Sequence, residues 1–82
     1  MNIIEGQIVA SKAGHDAGRF FAAVKISDGY IYLADGKERK LNNPKKKNIK
    51  HIAKTETVVK IPETDKQLRK LLNSFRRAIL ED

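Results

Sequence analysis

Turn-forming residues punctuate the first two thirds of this sequence so closely that the segments between them read as short strands, with no helix among them. The punctuation comes from Gly14 and Gly18, Ser27-Asp28-Gly29, Asp35-Gly36 and Asn42-Asn43-Pro44. These residue types take turn conformations at little steric cost or fix the backbone dihedral a turn needs. Ile3 to Ala10 reads as a first strand, with Gly6 as a bend or bulge. Phe20 to Ile26 is a second, whose alternation puts Phe20, Ala22, Val24 and Ile26 on one face and Phe21, Ala23 and Lys25 on the other. Phe20's face is expected to be the core. Ser27-Asp28-Gly29 is a tight hairpin leading to Tyr30–Ala34, and Asp35-Gly36 is a second hairpin signal leading to a fourth strand over Lys37–Leu41. Pro44 cannot donate to a central ladder, so the fifth strand is placed at Asn48–Ala53, with Thr55–Ile61 extending it or adding another. Short strands joined by turns point to a mostly β protein, a small antiparallel barrel or sandwich.

The period changes after Pro62. Thr64 and Gln67 have the spacing of a capping box, and Leu68, Leu71, Leu72, Phe75, Ala78 and Ile79 then recur every three or four residues. One amphipathic α-helix is therefore expected at the C-terminus. It is expected either to pack on the barrel or to offer the Leu68–Ile79 stripe to a protein partner or a second copy. Glu81 and Asp82 oppose the helix dipole and should weaken its last turn. The expected organisation is a β domain over residues 1–61 and a helix over 62–82.

With 82 residues and no cysteine, the chain is one small domain held by its core and without disulfides. His15 and His51 lack the acidic or thiolate neighbours of a metal site, so neither a metal nor a cofactor is expected. The opening M-N-I-I-E-G has no basic leader, and no apolar run reaches the roughly 18 residues of a membrane span. Sequence alone reads as a cytoplasmic protein with no membrane partner.

Charge supplies the functional signal. From Lys37 to Lys54 there are eight basic residues against the single acid Glu38, whereas the flanking segments are nearly balanced. The formal charge of +7 is thus concentrated in one segment. That is the electrostatic footprint of a polyphosphate partner. Lys45, Lys46 and Lys47 form its densest cluster and are expected to contact phosphate from a loop, with Lys37, Lys40 and Lys50 alongside. Arg19 and Arg39 carry the planar forks suited to bidentate phosphate or base-edge contacts. In the Ser11–Arg19 loop, Lys12, His15 and Arg19 lie beside Gly14 and Gly18, where backbone amides can approach a phosphate and a histidine can stack on an unpaired base. Phe21, Tyr30 and Tyr32 offer stacking faces, but so small a core is expected to claim them. Tyr30 and Tyr32 share one face, so they are buried or exposed together.

Read together, G-Q-I-V-A-S-K-A-G-H-D-A-G-R-F-F-A-A-V (Gly6 to Val24) and the basic segment resemble a KOW domain. This RNA-binding module occurs in large-subunit ribosomal proteins and in transcription elongation factors. Within that group the chain is similar to ribosomal proteins whose KOW motif is followed by D-G-K-x-R-x-L…P-K-x-K…K-H. Asp35, Gly36, Lys37, Arg39, Leu41, Pro44, Lys45, Lys47, Lys50 and His51 occupy those positions here. The resemblance runs from Gly6 to His51 and implies an SH3-like barrel of about five strands, no catalytic activity and contact with structured RNA, with the large ribosomal subunit as a partner. The glycine diagnostic of the motif corresponds to Gly18, where either a backbone angle or a close approach would exclude a side chain.

No paired carboxylates in a pocket, no nucleophile with its base and no nucleotide-binding glycine motif are present, so an enzyme is not expected. A KOW module that binds proteins of the transcription or translation machinery and a non-specific DNA-binding protein remain alternatives to RNA binding.

Overall fold

The computed structural model describes residues 2–80. Five strands come first: β1 (Gln7–Ser11), β2 (Phe20–Ser27), β3 (Tyr30–Ala34), β4 (Lys45–Asn48) and β5 (Ile52–Val58). A 3-10 turn at Ile49–His51 joins β4 to β5, and α1 (Asp65–Leu80) follows. All pairings are antiparallel, in the order β4-β3-β2-β1-β5. This is the mostly β architecture with one C-terminal helix expected from the turn spacing. It is compatible with an SH3-like barrel, but the sheet is not closed by pairing: β4 and β5 lie at its two edges.

Both faces of the sheet are buried, by different partners. The inner core joins Val9, Phe21, Ala23, Ile31, Leu33 and Ile52 with Ile3. A second cluster on the outer face joins Ile8, Ala22 and Ala34 with Leu68 and Leu72 of α1, flanked by Phe20, Val24 and Phe75. The expectation that Phe20's face is the core is therefore corrected: Phe21 is buried in the interior, and Phe20 is half-buried beneath the helix. The register shift between Ala23 and Lys25 explains why simple alternation fails. A bulge at Val24 reverses the faces, turning Ile26 inward opposite Ile31 and Lys25 outward opposite Tyr32.

The connection from β3 to β4 differs most from expectation. Lys37–Leu41 is not a strand, and Asp35-Gly36 opens a loop over residues 35–44 rather than a tight hairpin. The physical cause is Asp35. Its carboxylate accepts the backbone N–H groups of Lys37 and Arg39, each at 2.9 Å, while the Asp35 and Gly36 N–H groups donate to the Arg39 carbonyl. Backbone groups satisfied locally cannot also form a ladder. Strand β4 instead holds Lys45–Asn48, so the lysine run expected in a loop lies on an edge strand, where lysine discourages pairing with another chain.

Helix α1 starts where its cap predicts, with the Thr64 hydroxyl accepting the Gln67 N–H at 3.2 Å. Its stripe faces the sheet through Leu68 and Leu72, and Phe75 meets Phe20 edge-on at 5.3 Å, a geometry worth about 0.5–1.5 kcal/mol beyond burial. Ile79 and Leu80 remain exposed; Glu81 and Asp82, with the expected weakening of the last turn, lie outside the described residues. Among the described residues no helix is long and apolar enough to cross a membrane. The first turns of α1 also hold the 35–44 loop. The Arg69 guanidinium donates to the Gly36 carbonyl at 2.6 Å, and the Asp65 carboxylate accepts the Leu41 N–H at 2.8 Å.

Gly36 has a φ of +78°, and a Cβ there would overlap the Asp65 carbonyl oxygen, which is backbone and cannot swing aside. Gly36→Ala should therefore destabilise the fold by more than about 2 kcal/mol, combining left-handed strain with the clash. Gly18→Ala, at a φ of +85° but facing open space, should cost only about 1 kcal/mol. Urea denaturation of the two variants checks the order, and equal losses would refute the loop–helix contact.

Candidate nucleic-acid interface

Alternation along β4 separates the three lysines that the sequence presents as one cluster. Lys45 and Lys47 lie opposite Leu33 and Ile31, both inner-core residues, so their side chains point to the inside of the curved sheet. Lys46 lies opposite Tyr32 and points outward, its ammonium 4.4 Å from the centroid of the Tyr30 ring.

The inward lysines meet Asp16. Lys47 Nζ donates to Asp16 Oδ1 at 2.6 Å, to the Ala13 carbonyl at 2.7 Å and to the Ser11 hydroxyl, so three acceptors satisfy its three protons. Lys45 Nζ donates to the other carboxylate oxygen at 2.9 Å, and the Ser11 hydroxyl donates to Asp16 at 2.8 Å. The Lys47 and Asp16 side chains are only 9% and 10% exposed, which puts this pair among the buried ones; Lys45, at 31%, is wetter. Burial alone would push the Asp16 carboxyl upward. The hydrogen bonds from Lys47, Lys45 and Ser11 and the Lys47 charge outweigh it and hold the carboxyl well below the usual carboxylate range. Two cations sharing one anion leave a net single positive charge. Lys45 and Lys47 thus add less to an outward field than the sequence suggests.

This network ties the Ser11–Arg19 loop to β4, and backbone hydrogen bonds fold the loop on itself. The Gly18 N–H donates to the Ser11 carbonyl at 2.8 Å, and the Ala17 and Arg19 N–H groups close successive turns onto the Gly14 and Asp16 carbonyls. Gly14 and Gly18 both have positive φ. At Gly18 nothing lies within 4 Å of a built Cβ, so of the two reasons sequence offers for a glycine there, the backbone angle is the operative one.

Several candidate residues converge at this end of the sheet. The Lys12 N–H donates to the His51 carbonyl at 2.8 Å, joining the loop to the 3-10 turn that carries Lys50. His15, Arg19, Arg39 and Lys45 line a cavity of about 150 Å³ beside Asp16. Arg19 also borders a larger cavity of about 370 Å³ shared with Lys37, Arg69 and Arg76. Arg19 pairs with Glu38 in an exposed contact, which is worth little and is easily exchanged for a phosphate. Lys12, His15, Lys37, Lys40, Lys46, Lys50 and His51 are exposed. Lys46 lies away from this end on the outer sheet face, and Lys40 borders neither cavity. Sequence reasoning missed Asp16 as the organiser of the loop, because its partners Lys45 and Lys47 are about thirty residues away. The legible signal was the one acid in a loop that also holds Lys12, Gly14, Gly18 and Arg19.

The chain matches no protein-family model and no curated protein.

Removing Asp16 strands a buried ammonium, so Asp16→Asn and Lys47→Ala should each destabilise the fold by about 3 kcal/mol, whereas Lys46→Ala, with the same charge change as Lys47→Ala, should cost under about 1 kcal/mol. Because the folded-state pKa of Asp16 is depressed, its contribution is complete above the unfolded value of about 3.9 and is lost as pH falls below it. Urea midpoints measured at about pH 6 and about pH 3 should therefore fall less in Asp16→Asn than in the unmodified protein. Equal falls would mean that the ion pair does not stabilise the fold.

Proposed function

We propose that this protein is a non-enzymatic RNA-binding protein that holds structured RNA, of the kind found in ribosomes, through the basic end of its sheet. The observation that carries this reading is the convergence just described. The 35–44 loop, seated on α1, and the 11–19 loop bring His15, Arg19, Lys37 and Arg39 around two cavities that share Arg19, while the Lys12 N–H ties the 11–19 loop to His51 of the 3-10 turn that carries Lys50. No acid intervenes in the sequence between Arg39 and Lys54. Folded RNA presents phosphates and 2′-hydroxyls rather than major-groove base edges, and a pre-ordered set of point charges and forks suits such a surface. The KOW-like positions Asp35, Gly36 and Gly18 support the reading in a physical sense, since they set the shape of the two loops that carry these side chains. Docking of Leu68, Leu72 and Phe75 on the sheet takes most of the helix stripe away from a protein partner, which disfavours the protein-interaction alternative.

If about five phosphates are neutralised, affinity for a folded ribosomal RNA fragment should fall several-hundredfold between roughly 50 and 200 mM salt. Replacing Lys12 and Lys50 together with Ala should lower the slope of log affinity against log salt by about two. Fluorescence anisotropy with duplex DNA as competitor measures both. A slope unchanged in the double variant would remove this end from the interface, and equal competition by DNA would favour the non-specific DNA-binding alternative.

A further inference from the structure

Strands β2, β3 and β4 place six outward residues in two cross-strand rows. Lys25, Tyr32 and Lys46 form one row, and Ser27, Tyr30 and Asn48 form the other, with a tyrosine in the middle of each. The adjoining part of the same outer face, at Ala22 and Ala34, is covered by Leu68 and Leu72 of α1. Tyr30 is 39% exposed and Tyr32 is half-buried. The three strands contain no acidic residue, only lysines, serine, asparagine, aromatic and aliphatic side chains. The bulge at Val24 creates this patch by turning Lys25 outward beside Tyr32.

We propose that this face is a second RNA-contact surface, on which unpaired nucleotides stack their bases on Tyr30 and Tyr32 while Lys25 and Lys46 take the flanking phosphates. Residues two apart on a strand lie about 7 Å apart, roughly twice the 3.4 Å rise of stacked bases. A chain that places one base on each ring must be unstacked, which selects single-stranded segments over duplex. The lysines already occupy the positions a ligand needs. Lys46 Nζ lies 4.4 Å from the Tyr30 ring centroid and Lys25 Nζ lies 5.6 Å from that of Tyr32. An exposed ammonium over an aromatic ring is held more weakly than a base stacked on one, and lysine's flexible stem lets the ammonium move to a phosphate as the base arrives. The inference rests on the RNA-binding reading above and adds to it a surface that reads unpaired bases, distinct from the basic end that holds folded RNA by its phosphates.

The protein contains two tyrosines and no tryptophan, so its near-ultraviolet emission comes from this patch. Titration with a single-stranded oligoadenylate should quench tyrosine emission, and an abasic ribose-phosphate oligomer of equal length should not. Tyr30→Leu and Tyr32→Leu, each confirmed as folded by circular dichroism, should each weaken oligoadenylate binding roughly tenfold and leave binding of folded RNA within about threefold. Oligoadenylate that binds without changing the emission, or that binds both variants as tightly as the unmodified protein, would overturn the stacking surface while leaving the RNA-binding reading intact. Failure of both oligoadenylate and folded RNA to bind would overturn both.

Discussion

The shape of this small protein depends on one buried cluster, Asp16 with Lys47, Lys45 and Ser11. Strands β1 and β4 are separated by two others in the sheet, and no backbone ladder joins them. What spans the gap is the carboxylate of Asp16, reaching from the loop after β1 to two ammonium groups on β4. A lysine as buried as Lys47 is tolerable only because each of its protons has an acceptor, and an aspartate as buried as Asp16 only because two cations and a hydroxyl compensate its desolvation. Among the described residues no buried side-chain nitrogen or oxygen lacks a hydrogen-bond partner. Side chains therefore link β4 to the loop after β1, although two strands separate β4 from β1 in the sheet.

That link and a set of hydrogen bonds tie the loops of the candidate interface to the body of the fold. The loop fixed by Asp16 bonds to the 3-10 turn through Lys12 and His51, and the opposite loop is folded by Asp35 and seated on α1 by Arg69 and Asp65. Acidic residues in a basic protein have here a structural use. Asp16 and Asp35 order the chain segments that present the cations, while the cations not engaged with them face outward. The helix contributes twice, covering the outer face of β1, β2 and β3 with its apolar stripe and holding a basic loop with its first two turns.

Much of the architecture was legible because it follows from local rules. The Asp28-Gly29 hairpin, β3 at Tyr30–Ala34 and the Thr64 cap each depend on neighbouring residues alone. The errors arose where a distant residue decided. Phe20 and Phe21 are both apolar and adjacent, and only the placement of α1 shows that one faces the helix and the other the interior. Lys37–Leu41 has the length of a strand, but the Asp35 carboxylate captures its backbone N–H groups, and β4 forms later from a run of lysines that composition alone would leave in a loop.

Sequence by itself determined the mostly β class, the amphipathic helix, the absence of disulfides and the concentration of positive charge, since these are properties of composition and short-range spacing. Tertiary structure decided which charges face solvent. Lys45, Lys46 and Lys47 are chemically identical neighbours, yet the pleat of β4 turns two toward Asp16 and one toward Tyr30. The period of a strand is two residues, so its sense is set only when one face meets a partner, and that partner lies about thirty residues away in the chain.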